Sequence, residues 1–145
     1  MKRLTFLALT LTLLFVVGCS SNVKVGGTVV FSDDNTPVEA GQINFVSKAG
    51  DFQARGTIED GKFQVTSIKP NDGLPKGDYD VYFTAIETIT KESVTLPNGD
   101  TTEPETAPAI DLKYLSASTS GISQSITGPV KDLEFKLDRN PDLPQ

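Results

Sequence analysis

The chain has 145 residues, with 13 basic and 19 acidic side chains for a net charge of −6, no His, no Trp, one Cys and one Met. Without histidine there is no Ser-His-Asp triad, no Cys-His pair, no His-ligated zinc and no imidazole acid or base, and the single cysteine, Cys19, allows neither an intrachain disulfide nor a thiolate metal cluster. The negative balance argues against nucleic acid as a partner, because non-specific binding rests on Lys and Arg neutralising phosphates; the length suits one domain.

Lys2 and Arg3, the apolar stretch Leu4 to Val17 and the small Gly18 form the three-part pattern of a secretory signal over residues 1–18. The stretch is shorter than the ~20 residues of a spanning helix. Val16-Val17-Gly18-Cys19 resembles the bacterial lipobox, at which a peptidase cuts before a cysteine carrying a diacylglycerol thioether. The resemblance implies lipidation of Cys19 and a tether over residues 19–22. Cleavage there leaves 127 residues with 11 basic and 19 acidic side chains, a charge of −8. The plain alternative is a buried free thiol beside an ordinary cleavage site, a redox liability that lipidation would remove. Burial of acyl chains is worth ~0.8 kcal/mol per CH₂, so two or three chains hold a protein on a bilayer it does not span. Ser20 and Ser21 stand where an Asp would imply retention at the inner membrane, so the implied location is the cell envelope at the outer membrane. At ~3.3 Å per residue the tether keeps the domain close to the headgroups, and an acidic domain there is expected to be repelled by an anionic surface.

From Val23 the hydrophobic period is two. Val23, Val25, Gly27, Val29 and Phe31 share one face; Ile43 and Phe45 follow, then Phe52, Ala54, Gly56 and Ile58, then Phe63 and Val65, and Tyr79, Val81, Phe83 and Ala85. The segment Gly121 to Thr127 is weaker, with Gln124 between Ile122 and Ile126 on the inner row, and Leu133, Phe135 and Leu137 close the series. Such alternation is that of strands with one buried and one wet face. Asp60-Gly61 between two runs is a hairpin signal; Asp33 to Pro37, Asn71-Asp72-Gly73 and Gly128-Pro129 mark further turns. Seven short strands over residues 23–138 predict an all-β, antiparallel, seven-stranded sandwich, with a helical turn allowed within Ala109 to Tyr114. Residues 87–108, rich in Thr, Glu and Pro, read as a long excursion with a small hairpin through Val94 and Leu96. The tail, residues 139–145, reads as disordered.

Three blocks carry a resemblance. Val25-Gly26-Gly27-Thr28-Val29 with Thr36-Pro37-Val38-Glu39-Ala40-Gly41-Gln42-Ile43-Asn44-Phe45, the hairpin Thr57-Ile58-Glu59-Asp60-Gly61-Lys62-Phe63, and Leu74-Pro75-Lys76-Gly77-Asp78-Tyr79-Asp80-Val81 resemble, in order and spacing, the carboxypeptidase regulatory-like domains. The resemblance implies a transthyretin-like (prealbumin-like), broadly immunoglobulin-like, sandwich. It also implies a bacterial lipoprotein of that type. Tyr79 is expected in the core, its hydroxyl turned back to a nearby carbonyl as in the tyrosine corner of other sandwiches. The hydroxyisourate hydrolase that shares this fold class depends on histidines, which this chain lacks.

Candidate chemistry is sparse. Asp33, Asp34 and Asn35, and Asn71, Asp72 and Asp78, could supply oxygens to calcium, but no EF-hand spacing is present and turns need the same residues, so no metal and no cofactor are expected. Asp78, Asp80, Asp132 and Glu134 alternate on wet strand faces, without sign of a glycosidase cleft. Lys24 and Asn140 are the pair available for an isopeptide bond, on faces that read as exposed. Tyr82 on an outer face, and Lys113 with Tyr114 after the excursion, are the candidate contacts for a ligand or partner; Tyr114 plugging the end of the sandwich is the structural alternative. No catalytic residue is expected. The reading is a non-catalytic, lipid-anchored envelope protein acting as a protein-interaction or accessory module, through the 87–120 region or a sheet edge; the alternative is a glycan-binding module using Tyr82 and Tyr114.

Overall fold

A computed structural model describes residues 22–143. The expected signal segment, the lipobox and Cys19 lie outside the described residues.

Apart from one short 3₁₀ turn, the regular structure of the described residues is all-β. The main sheet comprises β1 (Val25–Phe31), β2 (Ala40–Ser47), β3 (Gln53–Glu59), β4 (Lys62–Thr66), β5 (Gly77–Thr84), β8 (Ile122–Ile126) and β9 (Val130–Leu137), while β6 (Glu87–Lys91) and β7 (Glu105–Pro108) form a separate ribbon. The seven expected strands are thus present, hydrogen-bonded in the order β8-β5-β2-β3-β4-β1-β9 as one continuous sheet.

Alternation fixes the inner face. Along β3 the burial pattern alternates strictly, with Ala54, Gly56 and Ile58 in and Gln53, Arg55, Thr57 and Glu59 out. The core gathers Val29, Ile43, Phe45, Ile58, Phe63, Val81, Phe83 and Leu137. Phe135 of the edge strand β9 meets Phe45 of β2 at 6.3 Å and Phe83 of β5 at 5.9 Å, both edge-on. A strand at one end of the hydrogen-bonding order can touch strands near the other end only if the sheet curls over its own inner face. The connection demands the same curl. β8 and β9 are opposite edges, yet only Thr127, Gly128 and Pro129 separate them, a link that spans at most about 14 Å.

That short link overturns a wholly antiparallel sheet. β8 ends at the end where Asn22 enters, called here the lower end. β9 therefore starts there and climbs beside β1 in parallel, Val29 opposite Phe135 and Phe31 opposite Leu137. Gly27 makes this pairing possible: a Cβ there would collide with the backbone of Leu133.

The turns follow their chemistry. Asp60 and Gly61 both take positive φ (49° and 75°), the primed-turn geometry that matches strand twist. Asp72 accepts hydrogen bonds from the amides of Ser67 (2.7 Å), Ile68 (3.0 Å) and Lys69 (2.9 Å), which ties the 67–73 loop and holds the Asp72 carboxyl well below its usual range. Tyr79 is 2% exposed and donates its hydroxyl to the Pro75 carbonyl at 2.8 Å, as the tyrosine-corner expectation required.

The upper end differs from expectation at the C-terminal tail. Residues 139–143 are tied down: Arg139 bridges Ile110, and buried Asn140 donates to the Pro108 carbonyl at 2.9 Å and accepts from the Asp142 amide. The two prolines that suggest a loose tail follow a residue whose side chain satisfies the backbone of another segment. Asn140 is therefore buried at the upper end while Lys24 is exposed at the lower end, too far apart for an isopeptide bond. A short 3₁₀ turn, η1 (Leu112–Leu115), falls in the expected place, with Asp111 capping the Lys113 amide.

Candidate functional site

The 87–108 excursion is an ordered arm. Ile86 and Ile110, 3% and 0% exposed, root it in the core, and the Ala109 amide donates to the Ile86 carbonyl at 2.9 Å. Between these roots β6 and β7 pair antiparallel, Thr88 opposite Ala107 and Ile89 opposite Thr106. The ribbon continues through a Thr95–Thr101 bridge to a turn at Asn98-Gly99, where the Leu96 amide reaches the Asp100 carbonyl. The hairpin expected at Val94 and Leu96 is there, but it is the tip of a longer ribbon.

Every β6 residue is exposed, and neither strand of the ribbon pairs with the main sheet, so both of its outer edges carry backbone donors and acceptors without strand partners. Ile89, Val94 and Leu96 are exposed along it. Large apolar side chains on a two-stranded ribbon in water bring no folding stabilisation; such ribbons are marginal alone. The arm is also acidic: Glu87, Glu92, Asp100, Glu103 and Glu105 oppose Lys91 alone. Thr106 donates to Glu87, and Lys91 pairs with Glu105 at 3.0 Å, which ties the two strands side by side.

Lys113 and Tyr114 stand near the arm's root. Tyr114 is 7% exposed; its hydroxyl donates to Asp138 Oδ2 at 2.9 Å, and burial raises its pKa. It therefore closes the upper end of the core, and its phenol is engaged. Lys113 Nζ donates to the same Asp138 oxygen at 2.7 Å and sits 4.7 Å from the Tyr114 ring centroid. Ser32 Oγ supplies a third donor to Asp138 at 2.6 Å. Together, Lys113 first, then Ser32 and Tyr114, these hold the Asp138 carboxyl down at about 2, and the Asp138 bond keeps the Lys113 ammonium charged. A carboxylate saturated with donors is a poor proton acceptor at neutral pH, and a charged ammonium is no nucleophile. Beside it Arg139 joins Asp33 at 2.9 Å and Asp34 at 3.0 Å and lies over the Phe31 ring. The Asp33-Asp34-Asn35 turn is thus held by an arginine, and Asp34 also accepts from Thr36.

Tyr82 is elsewhere, on the outer face of β5 and half-buried, its hydroxyl accepting from Gln53 Nε2 at 3.1 Å. Asn44, 6% exposed beside it on β2, donates to Thr84. Tyr82 shares no hydrogen-bond partner with Lys113 or Tyr114, and Tyr114 is buried where Tyr82 stays on an outer face, so the two tyrosines do not present one surface.

A shallow open groove of about 820 Å³ runs over the outer face of β1, β3 and β4, floored by Gly26, Thr28, Thr57, Gln64 and Thr66. Its one aromatic, Phe63, is buried and turned inward. Among the described residues no group of three or more His, Cys, Asp or Glu is gathered as a metal site, and no helix is long and apolar enough to cross a membrane. Sequence alternation missed the Asp138–Arg139 hub, because its partners come from segments about a hundred residues apart. Compared with protein-family models, curated proteins and solved structures, the chain matches none.

Proposed function

We propose that this is a non-catalytic accessory protein of the bacterial envelope, lipid-anchored through Cys19, carrying a transthyretin-like seven-stranded sandwich that binds another envelope protein through the β6–β7 arm. The lipobox-like Val16-Val17-Gly18-Cys19 supports the anchor. The curl that seats Phe135 against Phe45 and Phe83, and the Tyr79 corner, support the sandwich.

The arm carries the reading: a rooted ribbon with two unpaired edges and three exposed apolar side chains is suited to strand addition, in which backbone bonds give affinity and alternate side chains give specificity. The test places a photocrosslinking residue at Ile89 or Leu96 of the anchored protein in intact cells, with Glu134 on β9 as control. One envelope protein captured from the arm positions, and lost when Ile89, Val94 and Leu96 are replaced by Thr, is the expected result. Equal labelling from Glu134 refutes the arm as the contact. A glycan-binding reading has Tyr82 beside Gln53 and Asn44 in its favour; retention of envelope polysaccharide lost in Tyr82→Ala, with no protein captured, would put it first.

A further inference from the structure

The side chain most exposed among the large apolar residues described is not on the arm. Ile68, 86% exposed, sits at the lower end in the loop that Asp72 ties down. Three amides and the Ser67 hydroxyl converge on Asp72, and the Asn71 amide donates to Thr66 Oγ1, so the loop is held with Ile68 outward. Gly73, at φ +78°, passes so close to Val23 that a Cβ would strike its carbonyl. The loop is therefore fixed to the segment by which the chain enters, and Asn22 Nδ2 donates to Ser67 Oγ at 2.8 Å. Cys19 is three residues before Asn22, a reach of at most about 11 Å.

Charge is divided along the same axis. The lower half of the sheet carries Lys24, Lys48, Arg55, Lys69, Lys76 and Lys131 against five acids, Asp51, Asp72, Asp78, Asp80 and Asp132. The remaining fourteen acids lie on the upper half and the arm, with only five basic residues. In the lower half Lys48 pairs with Asp80, while Lys24, Lys69, Lys76 and Lys131 are exposed and form no salt bridge with any described residue; in the upper half Lys113, Lys136 and Arg139 are paired and Lys62 is not. Repulsion of the whole acidic domain from an anionic surface is thus replaced by orientation: the excess negative charge lies on the half away from the tether.

We infer that the 67–73 loop is a second membrane contact, with Ile68 seated at the headgroup–acyl boundary of an anionic bilayer and Lys69, Lys76, Lys24 and Lys131 around it on the lipid phosphates. The inference rests on the anchoring of Cys19 proposed above. One acyl-bearing residue confines the domain to the surface without orienting it; a rigid apolar tip ringed by lysines orients it, each lysine near an anionic surface favouring the docked state by about fivefold. The arm then points away from the lipid.

The chain has no Trp, so Ile68→Trp gives a single reporter in the full-length protein. Purified from membranes, with the lipid on Cys19 verified by mass, it is reconstituted into phosphatidylethanolamine–phosphatidylglycerol vesicles. The expected result is blue-shifted indole emission from position 68, quenched by brominated phospholipid and relieved by high salt, while the Leu96→Trp variant, with its reporter on the arm, stays water-like. Lys69→Gln with Lys76→Gln, both exposed and with side chains outside the loop's hydrogen bonds, should weaken docking about thirtyfold. Water-like emission from position 68 in lipid-bearing protein, or equal quenching at positions 68 and 96, overturns the inference while leaving the anchor standing. An unmodified Cys19 overturns the anchor, and the inference with it.

Discussion

Tyr79 offers the sharpest test of how the core is held. Its ring is 2% exposed and meets Phe45 edge-on at 6.2 Å, and its hydroxyl spans back four residues to the Pro75 carbonyl. Tyr79→Ala removes a whole buried ring and should cost about 3–5 kcal/mol. Tyr79→Phe keeps the ring and loses one hydrogen bond, about 1 kcal/mol. The two variants separate packing from bonding, and urea unfolding followed by far-UV circular dichroism reads both. Burial raises the pKa of this phenol above its ordinary value near 10, so its stabilising effect is complete below pH 10 and declines as pH rises toward the folded-state pKa. Tyr79→Phe should therefore also blunt alkaline unfolding. A loss below about 1 kcal/mol for Tyr79→Ala, or a larger loss for Phe than for Ala, would refute the placement.

Gly27→Ala should destabilise by about 3 kcal/mol and disrupt the β1–β9 pairing, because the added Cβ meets the Leu133 backbone and not a movable side-chain tip; loss of amide exchange protection in both strands checks this. Ala85, at φ +55° just before the arm, is in left-handed backbone, so Ala85→Gly should be neutral or stabilising by up to about 1 kcal/mol in thermal melts, against the usual direction of such a change. Asp34 and Asp138 both have carboxyls lowered to about 2, Asp34 by Thr36 and Asp138 by Lys113 first. Depressed carboxylates stabilise above their unfolded pKa, so stability should fall as pH drops from about 4 to about 2, and an Asp138→Asn melt should show a shallower acid dependence.

Much of the architecture is legible in the chain because each strand has a wet face. Gln53 to Glu59 names its own inner residues, and Asp60-Gly61 names its turn. What alternation does not encode is which strand lies beside which. Val130 to Leu137 reads the same whether its neighbour runs with it or against it, and the direction comes from a three-residue link at one end. Tyr114 and Tyr82 look alike as isolated aromatics; the first is buried and bonded to a carboxylate brought from position 138, the second stays on an outer face. Ile68 carries no period at all, being one apolar residue in a turn, and the lower-half lysines Lys24, Lys69, Lys76 and Lys131 are scattered over more than a hundred positions.

The parallel partnership of β1 with β9 also sets an order of events. β1 is the first of the described strands and the core strand on which β4 and β9 both depend, yet one of its sides stays unpaired until residue 137 has been delivered. The sheet can grow from the β3–β4 hairpin through β2 and β5, but closing it requires joining segments about a hundred residues apart, a slow step in chains of high contact order. A chain held at its N-terminus by lipid would wait for that closure beside the membrane, with the inner face of β1 and its open edge exposed. Shortening the chain before Val130 should therefore abolish the fold outright, and a chaperone's window on this protein would open early and close last.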